Sequence, residues 1–273
     1  EAKSEIGGRV VREAKLPGLA AWGRVVDYRQ YQLSQRPNVE IYLESALDAA
    51  SILEFGFENV CIATGAQWRS DGVARQHVVP MPIAQGAKIY TPDDLMDGTV
   101  PQGKVIVFDD DHYYMGGVLA ELMAKNGADV TLVTPSAYVS DWTINTLEQS
   151  AIHVRLVNAG VKIILNRGIT AIHPDHVVSN CIYTNTLERF ECDAVVIVAS
   201  RQENAAVYGG LRARKAEWAD AGIRSVKIIG DANAPGPIAW ATYAGHRYAR
   251  ELDRDDIGDA LPFRREITEL SLD

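Results

Sequence analysis

Cysteine is scarce in this sequence. Cys61, Cys181 and Cys192 are all there is among 273 residues. None forms a Cys-x-x-Cys pair or a spacing suited to zinc or an iron–sulfur cluster. Reduced thiols of a cytoplasmic protein are the expectation; the other reading lets Cys181 and Cys192 face each other across a hairpin centred near Asn185-Thr186. No apolar run approaches the roughly 18 residues that span a bilayer, and no signal-peptide pattern opens the chain. Basic excess is also missing. With 27 Lys and Arg against 36 Asp and Glu the net charge is -9, which argues against nucleic acid or an anionic membrane as partner. His77, His153, His173, His176 and His246 have no zinc-like spacing. What remains, 47% hydrophobic and 23% charged residues, is the composition of a globular chain of one large or two ordinary domains.

The most telling shortage is of glycine at one place. Gly103 to Pro135 reads as strand, turn, helix and strand. Val105-Ile106-Val107-Phe108 is an apolar run of the kind buried on both faces of a parallel sheet. Val118, Leu119, Leu122 and Met123 recur at helical spacing, Gly127 is a helix stop, and Val130 to Val133 is a second strand. This is the first βαβ unit of a dinucleotide-binding fold. A dinucleotide fingerprint there needs Gly-x-Gly-x-x-Gly, yet in register stand Asp109, Asp111 and Tyr114. Gly116 and Gly117 come too late. Aspartates facing a diphosphate would repel it by roughly 1–4 kcal/mol per close pair. The frame predicts a nicotinamide-binding domain without its binding loop.

The N-terminus shows the converse pattern. EAKSEIGGRV, without an initiator methionine, reads as the end of something. In flavoproteins with two dinucleotide domains an acidic residue closes the second strand and binds the adenosine ribose; Glu1, followed by Gly7-Gly8-Arg9, fits that description. An ordinary turn is the other reading of Gly7-Gly8. The glycine-rich turn expected roughly 20 residues before Glu1 is absent, so a fragment cut inside a domain is expected.

Along the rest of the chain, Trp22, Val25, Val26, Arg29 and Leu33 predict a helix after Pro17-Gly18, and Val39 to Leu43 predicts a strand. Asp48 to Phe55 is a short helix stopped by Gly56. Val60 to Gly65 is a strand whose Ala63-Thr64-Gly65 turn lets backbone pass close to a nucleotide. Residues 66–101 read as a loop crossing between domains, with a helix start at Thr91-Pro92. A helix from Thr143 to Ala159, a strand from Val161 to Leu165, hairpin strands at Val177–Tyr183 and Arg189–Asp193, and a buried strand Ala194–Val198 complete the second domain near Arg201. Val226 to Asp231 then runs into a Gly230-Asp231 turn before a helix packed through Ile238, Ala241, Thr242, Gly245, Tyr248, Ala249 and Leu252, with Gly245 allowing close approach to the sheet. Asp231 is either a nucleotide anchor or a structural cap.

These features yield an α/β fold of two Rossmann-like dinucleotide-binding domains of the FAD/NAD(P)-binding type, the second inserted into a truncated first. The expected first domain is 1–100 with 202–273, of ADP/FAD type and lacking its first βαβ strand and turn. The expected second is 101–201, a degenerate NAD(P)-type domain. The segments EIGGRVVREAKLPGLAAWGRVVDYR, IATGAQWRSDG, DDDHYYMGG and IIGDANAPGPIAWATYAGHRYARE together resemble the C-terminal half of the flavoprotein family of trimethylamine, dimethylamine and histamine dehydrogenases; dimethylglycine-type demethylases are similar. The resemblance covers nearly the whole chain.

The resemblance implies a preceding TIM barrel, outside this chain, that carries FMN and a 4Fe-4S cluster and oxidises a small methylated amine by N-demethylation. It implies that this half holds ADP, as in trimethylamine dehydrogenase, or FAD, as in related dienoyl-CoA reductases. It also implies that electrons pass to an electron-transferring flavoprotein, with Tyr113 matching a tyrosine of the docking surface, and that the full-length protein is a homo-oligomer. Glu1 would take the ribose hydroxyls, the Gly7-Gly8-Arg9 loop would cover the nucleotide with Arg9 towards phosphate, and Gly65 with Ala63 and Thr64 would allow backbone approach. Gly230 and Asp231 would anchor the sugar or ribityl region. Trp22 either covers the adenine or packs in the core. No residue is expected as catalytic acid, base or nucleophile. Asp109-Asp110-Asp111-His112 suits a hard metal in type, but adjacent residues rarely converge, and a solvated acidic turn is the expectation. Two further functions are open: an NAD(P)H-dependent reductase module of 2,4-dienoyl-CoA reductase type binding FAD, and a stand-alone nucleotide-binding module.

Overall fold

The computed structural model describes residues 1–252. The chain forms two compact units. The first comprises Glu1–Ala46 and Gln67–Gln202, the second Leu47–Ala66 and the described residues from Glu203 onward. Residues 67–100 pack with the sheet that follows them. Residues 253–273, expected in the first nucleotide domain, lie outside the described part.

The first unit is built on a five-stranded, all-parallel sheet. Its order is Ile89–Tyr90, Ala194–Val198, Lys104–Asp109, Asp129–Val133 and Lys162–Ile164. The central pair is apolar without interruption because both faces are covered; Val105 to Phe108 are at most 1% exposed. Period-two alternation sends Val105, Val107, Leu132, Val196 and Val198 to one core with the helices Tyr114–Lys125 and Gln149–Asn158. Ile106, Phe108, Val195 and Ile197 go to the other, with Ile169, Ile172 and Val177 of a three-stranded antiparallel sheet, Arg167–Ile172, His176–Cys181 and Leu187–Glu191.

Several expectations for this unit are corrected. Helix 143–159 is split into a 3-10 turn, Asp141–Ile144, and the helix Gln149–Asn158. Leu147 between them has φ 62°, and the Thr143 and Thr146 hydroxyls donate to the Ser140 and Thr143 carbonyls, the local competition that ends helices. Residues 39–43 form no strand. They find no ladder: the Val39 amide turns back on the Arg36 carbonyl at 3.1 Å, the Tyr42 hydroxyl donates to Glu40, and the Glu1 ammonium donates to the Tyr42 carbonyl at 3.0 Å. The stretch 66–101, read as a loop, supplies the edge strand Ile89–Tyr90, while the helix start expected at Thr91-Pro92 is there as Pro92–Met96, opened by a Thr91/Asp94 capping box. Strand Arg167–Ile172 is present in addition to the expected hairpin strands. The hairpin register sets Asn180 opposite Leu187 and His176 opposite Glu191, so Cys181 and Cys192 do not face each other; all three cysteines are free.

The second unit pairs Asn59–Ile62 with Ser225–Ile228 in parallel. Leu53, Ile62, Leu211, Ile223 and Val226 form its core, with helices Ala49–Phe55 and Ala206–Ala213 alongside. Asp48 caps the first of these by accepting from Ser51 N, and Gly56 ends it with φ 69°. Helix Ile238–Glu251 has no fully buried residue. Ala249 and Leu252 are exposed, and a Cβ on Gly245 would meet nothing within 4 Å, so that glycine does not serve a close approach. Among the described residues no helix is long and apolar enough to cross a membrane.

Candidate functional site

The turn between the central strand and its helix is where a dinucleotide's pyrophosphate rests in folds of this kind. Here the Asp110 and Asp111 amides donate to the Val198 carbonyl at 2.9 and 3.1 Å. That pins the turn to the end of the neighbouring strand. Asp109 and Asp110 are wholly buried, so the expected solvated acidic turn is corrected: its first two carboxyl groups point inward. Asp109 Oδ1 accepts from the His112 amide at 3.0 Å, and His112 adopts φ 64° to bring that about. A Cβ on Gly116 would stand 2.5 Å from Asp109 Cγ. The glycine therefore makes room for a carboxyl group of the chain itself, against the first helical turn.

Burial, then Asp111, pushes the Asp109 carboxyl up to about 7. Asp110 Oδ2 accepts from the Gln76 amide at 2.8 Å, and its Oδ1 lies 3.4 Å from His112 Nε2. Asp111 is raised by burial, against the pull of Arg201, Arg75, His112 and Arg9. Among the described residues no three His, Cys, Asp or Glu side chains are grouped to hold a metal ion.

The helix begins with two tyrosines. Tyr113 is half-buried and stands at the N-cap without a side-chain cap bond. Its ring meets Tyr114 at 4.8 Å and 64°. Tyr114, at the third glycine position of the lost fingerprint, is buried and meets Trp22 edge-on at 4.6 Å. Trp22 is thus a packing residue in this unit. The Tyr114 hydroxyl donates to Glu13 Oε2 at 2.6 Å, and Arg9 Nη1 donates to Glu13 Oε1 at 2.9 Å. Burial and the Glu13 charge raise the Tyr114 phenol, which stays a donor.

Gly7, with φ 116°, is tightly enclosed: a Cβ would approach Val11 and Val26 within 2.7–2.9 Å. Gly8, at φ 54° before helix Arg9–Glu13, faces open space. Glu1 is exposed and accepts from the Lys3 amide at 3.0 Å. Glu13 was missed in the sequence, where it looks like one more charge in a polar helix; the signal was Arg9 four residues earlier.

In the second unit Ile62 and Ile228 are in register and the Ile229 amide donates to the Ile62 carbonyl at 2.9 Å. Both strands end together, which brings Ala63-Thr64-Gly65 beside Gly230-Asp231. Ligands of α/β sheets bind outside such carboxyl ends. Gly65 has φ 77° and open space where a Cβ would be. Asp231 is buried and accepts from the Gly236 amide at 3.1 Å. Asn204, which sequence reading passed over, ties the turn through its amide on the Gly65 carbonyl and its carbonyl on the Thr64 hydroxyl. The ten expected nucleotide residues thus fall into two sets: Glu1, Gly7, Gly8, Arg9 and Trp22 in the first unit, the other five in the second.

Comparison with known proteins bears on this geometry. Residues 90–204 match the family described as OYE-like second alpha/beta domain. Histamine dehydrogenase from Rhizobium sp. 4-9 superposes with a TM-score of 0.95 at 64% identity, over 99% of this chain and 42% of that one. Dimethylamine dehydrogenase of Hyphomicrobium sp. (strain x) is 33% identical over 97% of this chain and 40% of its own. The chain is homologous to the dimethylamine and histamine dehydrogenases. A 6-hydroxypseudooxynicotine amine oxidase from Pseudomonas geniculata N1 is also similar, with TM-score 0.86 and 42% identity over 90% of this chain and 36% of that one. The chain spans about two fifths of the length of these dehydrogenases. The OYE-like match takes in the aspartate turn, Tyr113 and Tyr114 as well as nearly the whole parallel sheet.

Proposed function

We propose that this chain is the adenine-nucleotide-binding portion of an amine-oxidising flavin and iron–sulfur oxidoreductase. In this reading two Rossmann-like domains share the chain, with the ADP/FAD type at 1–100 and 202–273 and a degenerate NAD(P) type at 101–201. The carrying observation is the Asp109 carboxyl packed on Gly116: it fills the turn with an acid, where a nicotinamide coenzyme would need space and donors. That favours a structural adenine nucleotide, ADP or FAD, over an NAD(P)H-using reductase.

The chain's residues suit such a nucleotide in type. In the first unit Gly8 leaves open space beside positive-φ backbone, Glu1 offers an exposed carboxylate for ribose hydroxyls, and Arg9 offers a guanidinium for phosphate. The second unit, taken by itself, offers the open Gly65 turn and the Gly230-Asp231 turn at its strand ends. FMN and a 4Fe-4S cluster would lie in an N-terminal barrel outside this chain, where FMN supplies the two-electron oxidation of the C–N bond of a small methylated amine. Electrons would then pass to an electron-transferring flavoprotein docking near Tyr113, in a homo-oligomeric cytoplasmic enzyme.

The test is to purify the full-length protein, denature it and identify the released small molecules by chromatography. ADP or FAD in near-stoichiometric amount is expected among them. Protein that releases no adenine nucleotide and binds none when it is added would overturn the reading.

A further inference from the structure

Three groups in the first unit are wired in series. Arg9 Nη1, Glu13 Oε1 and Oε2, and the Tyr114 hydroxyl are joined by bonds of 2.9 and 2.6 Å. Glu13 is 0% exposed and each of its oxygens takes one donor. Tyr114 is held in turn between Trp22 and Tyr113. The Arg9 side chain is the member of the series that keeps some solvent access, 16%.

A buried, paired carboxylate is a poor way to gain stability, since apolar residues of similar volume serve as well or better. What such a network does supply is orientation. A guanidinium on a long, flexible stem has many positions open to it, and a carboxylate fixed on both oxygens selects one. The tyrosine that completes the network stands where the third fingerprint glycine would be.

We propose that Glu13 and Tyr114 are positioning residues that set the Arg9 guanidinium for a phosphate of the bound adenine nucleotide. The relic of the nicotinamide fingerprint is thereby put to the service of a different nucleotide. The inference rests on the adenine-nucleotide reading above and goes beyond it in assigning Glu13 and Tyr114.

The experiment uses full-length protein freed of its endogenous nucleotide, with calorimetric titration of ADP and, separately, of adenosine. Adenosine lacks the phosphates, so it reports on fold and on the base and ribose contacts alone. Tyr114→Phe, which deletes one hydroxyl and leaves the ring, should weaken ADP about tenfold and leave adenosine within about twofold. Glu13→Gln should act in the same direction. Arg9→Met should weaken ADP at least as much, and the Arg9→Met/Tyr114→Phe double variant should bind ADP no more weakly than Arg9→Met alone. Equal losses for ADP and adenosine, full additivity in the double variant, or unchanged ADP affinity would overturn the positioning role and leave the nucleotide reading standing. Wild-type protein that binds neither ligand would overturn both.

Discussion

Asp109 and Gly116 form one packing unit: a Cβ on the glycine would stand 2.5 Å from the aspartate's Cγ and 2.6 Å from its Oδ2. The residue that closes the central strand thus occupies space that the first helical turn leaves open. In dinucleotide folds that space lies next to the pyrophosphate.

Gly116→Ala should therefore destabilise the chain by about 1–3 kcal/mol, the range for overpacking a filled core. Asp109→Gly in the same chain should recover most of that loss, because it removes the atoms the new methyl meets. Urea unfolding of the two single variants and the double variant gives the coupling. Additive effects would mean that the two residues do not share this space.

The buried Asp109 carboxyl, raised from 3.8 to about 7, makes stability depend on pH. The folded state keeps a proton that the unfolded state gives up. The stabilising contribution is thus complete below about pH 4 and is lost as pH rises through about 7. Against the neutral isostere Asp109→Asn, the wild type should be similar in stability near pH 4 and weaker by a few kcal/mol near pH 8, at about 1.4 kcal/mol per unit. Parallel curves for the two proteins in urea unfolding would contradict this.

The sequence made the central βαβ unit legible because its strand is buried on both faces and so is apolar without a break. The loss of the fingerprint was legible too, since only glycine fits those positions. Where the aspartates point was not: a run of three acids looks the same whether it is solvated or turned inward, and only the glycine two residues into the helix hinted at a buried group. Glu13 was hidden for the same reason, since its partner Tyr114 lies 101 positions away. The false strand at 39–43 shows the limit of alternation, which records an amphipathic run but not whether a neighbouring strand exists to receive it. Helix 143–159 failed on threonines, whose hydroxyls compete with the backbone more strongly than helical periodicity suggests.

The three thiols should differ sharply in reactivity. Hydrogen bonds from the Thr184 hydroxyl and then the Thr184 and Tyr183 backbone bring Cys181 down to about 7, whereas burial pushes Cys61 and Cys192 up to about 11. Alkylation follows the thiolate. At neutral pH iodoacetamide should label Cys181 first by at least tenfold, with a rate that rises through pH 7, as followed by peptide mass spectrometry. Equal labelling of the three would refute the hairpin-turn effect.

Titration of the full-length protein with NADH, followed by the coenzyme's fluorescence and by flavin reduction, tests the central claim most directly. A turn filled by Asp109 should give no saturable binding up to millimolar NADH and no reduction. Saturable binding at micromolar NADH that is abolished by substitutions between Asp109 and Gly117 would contradict the account.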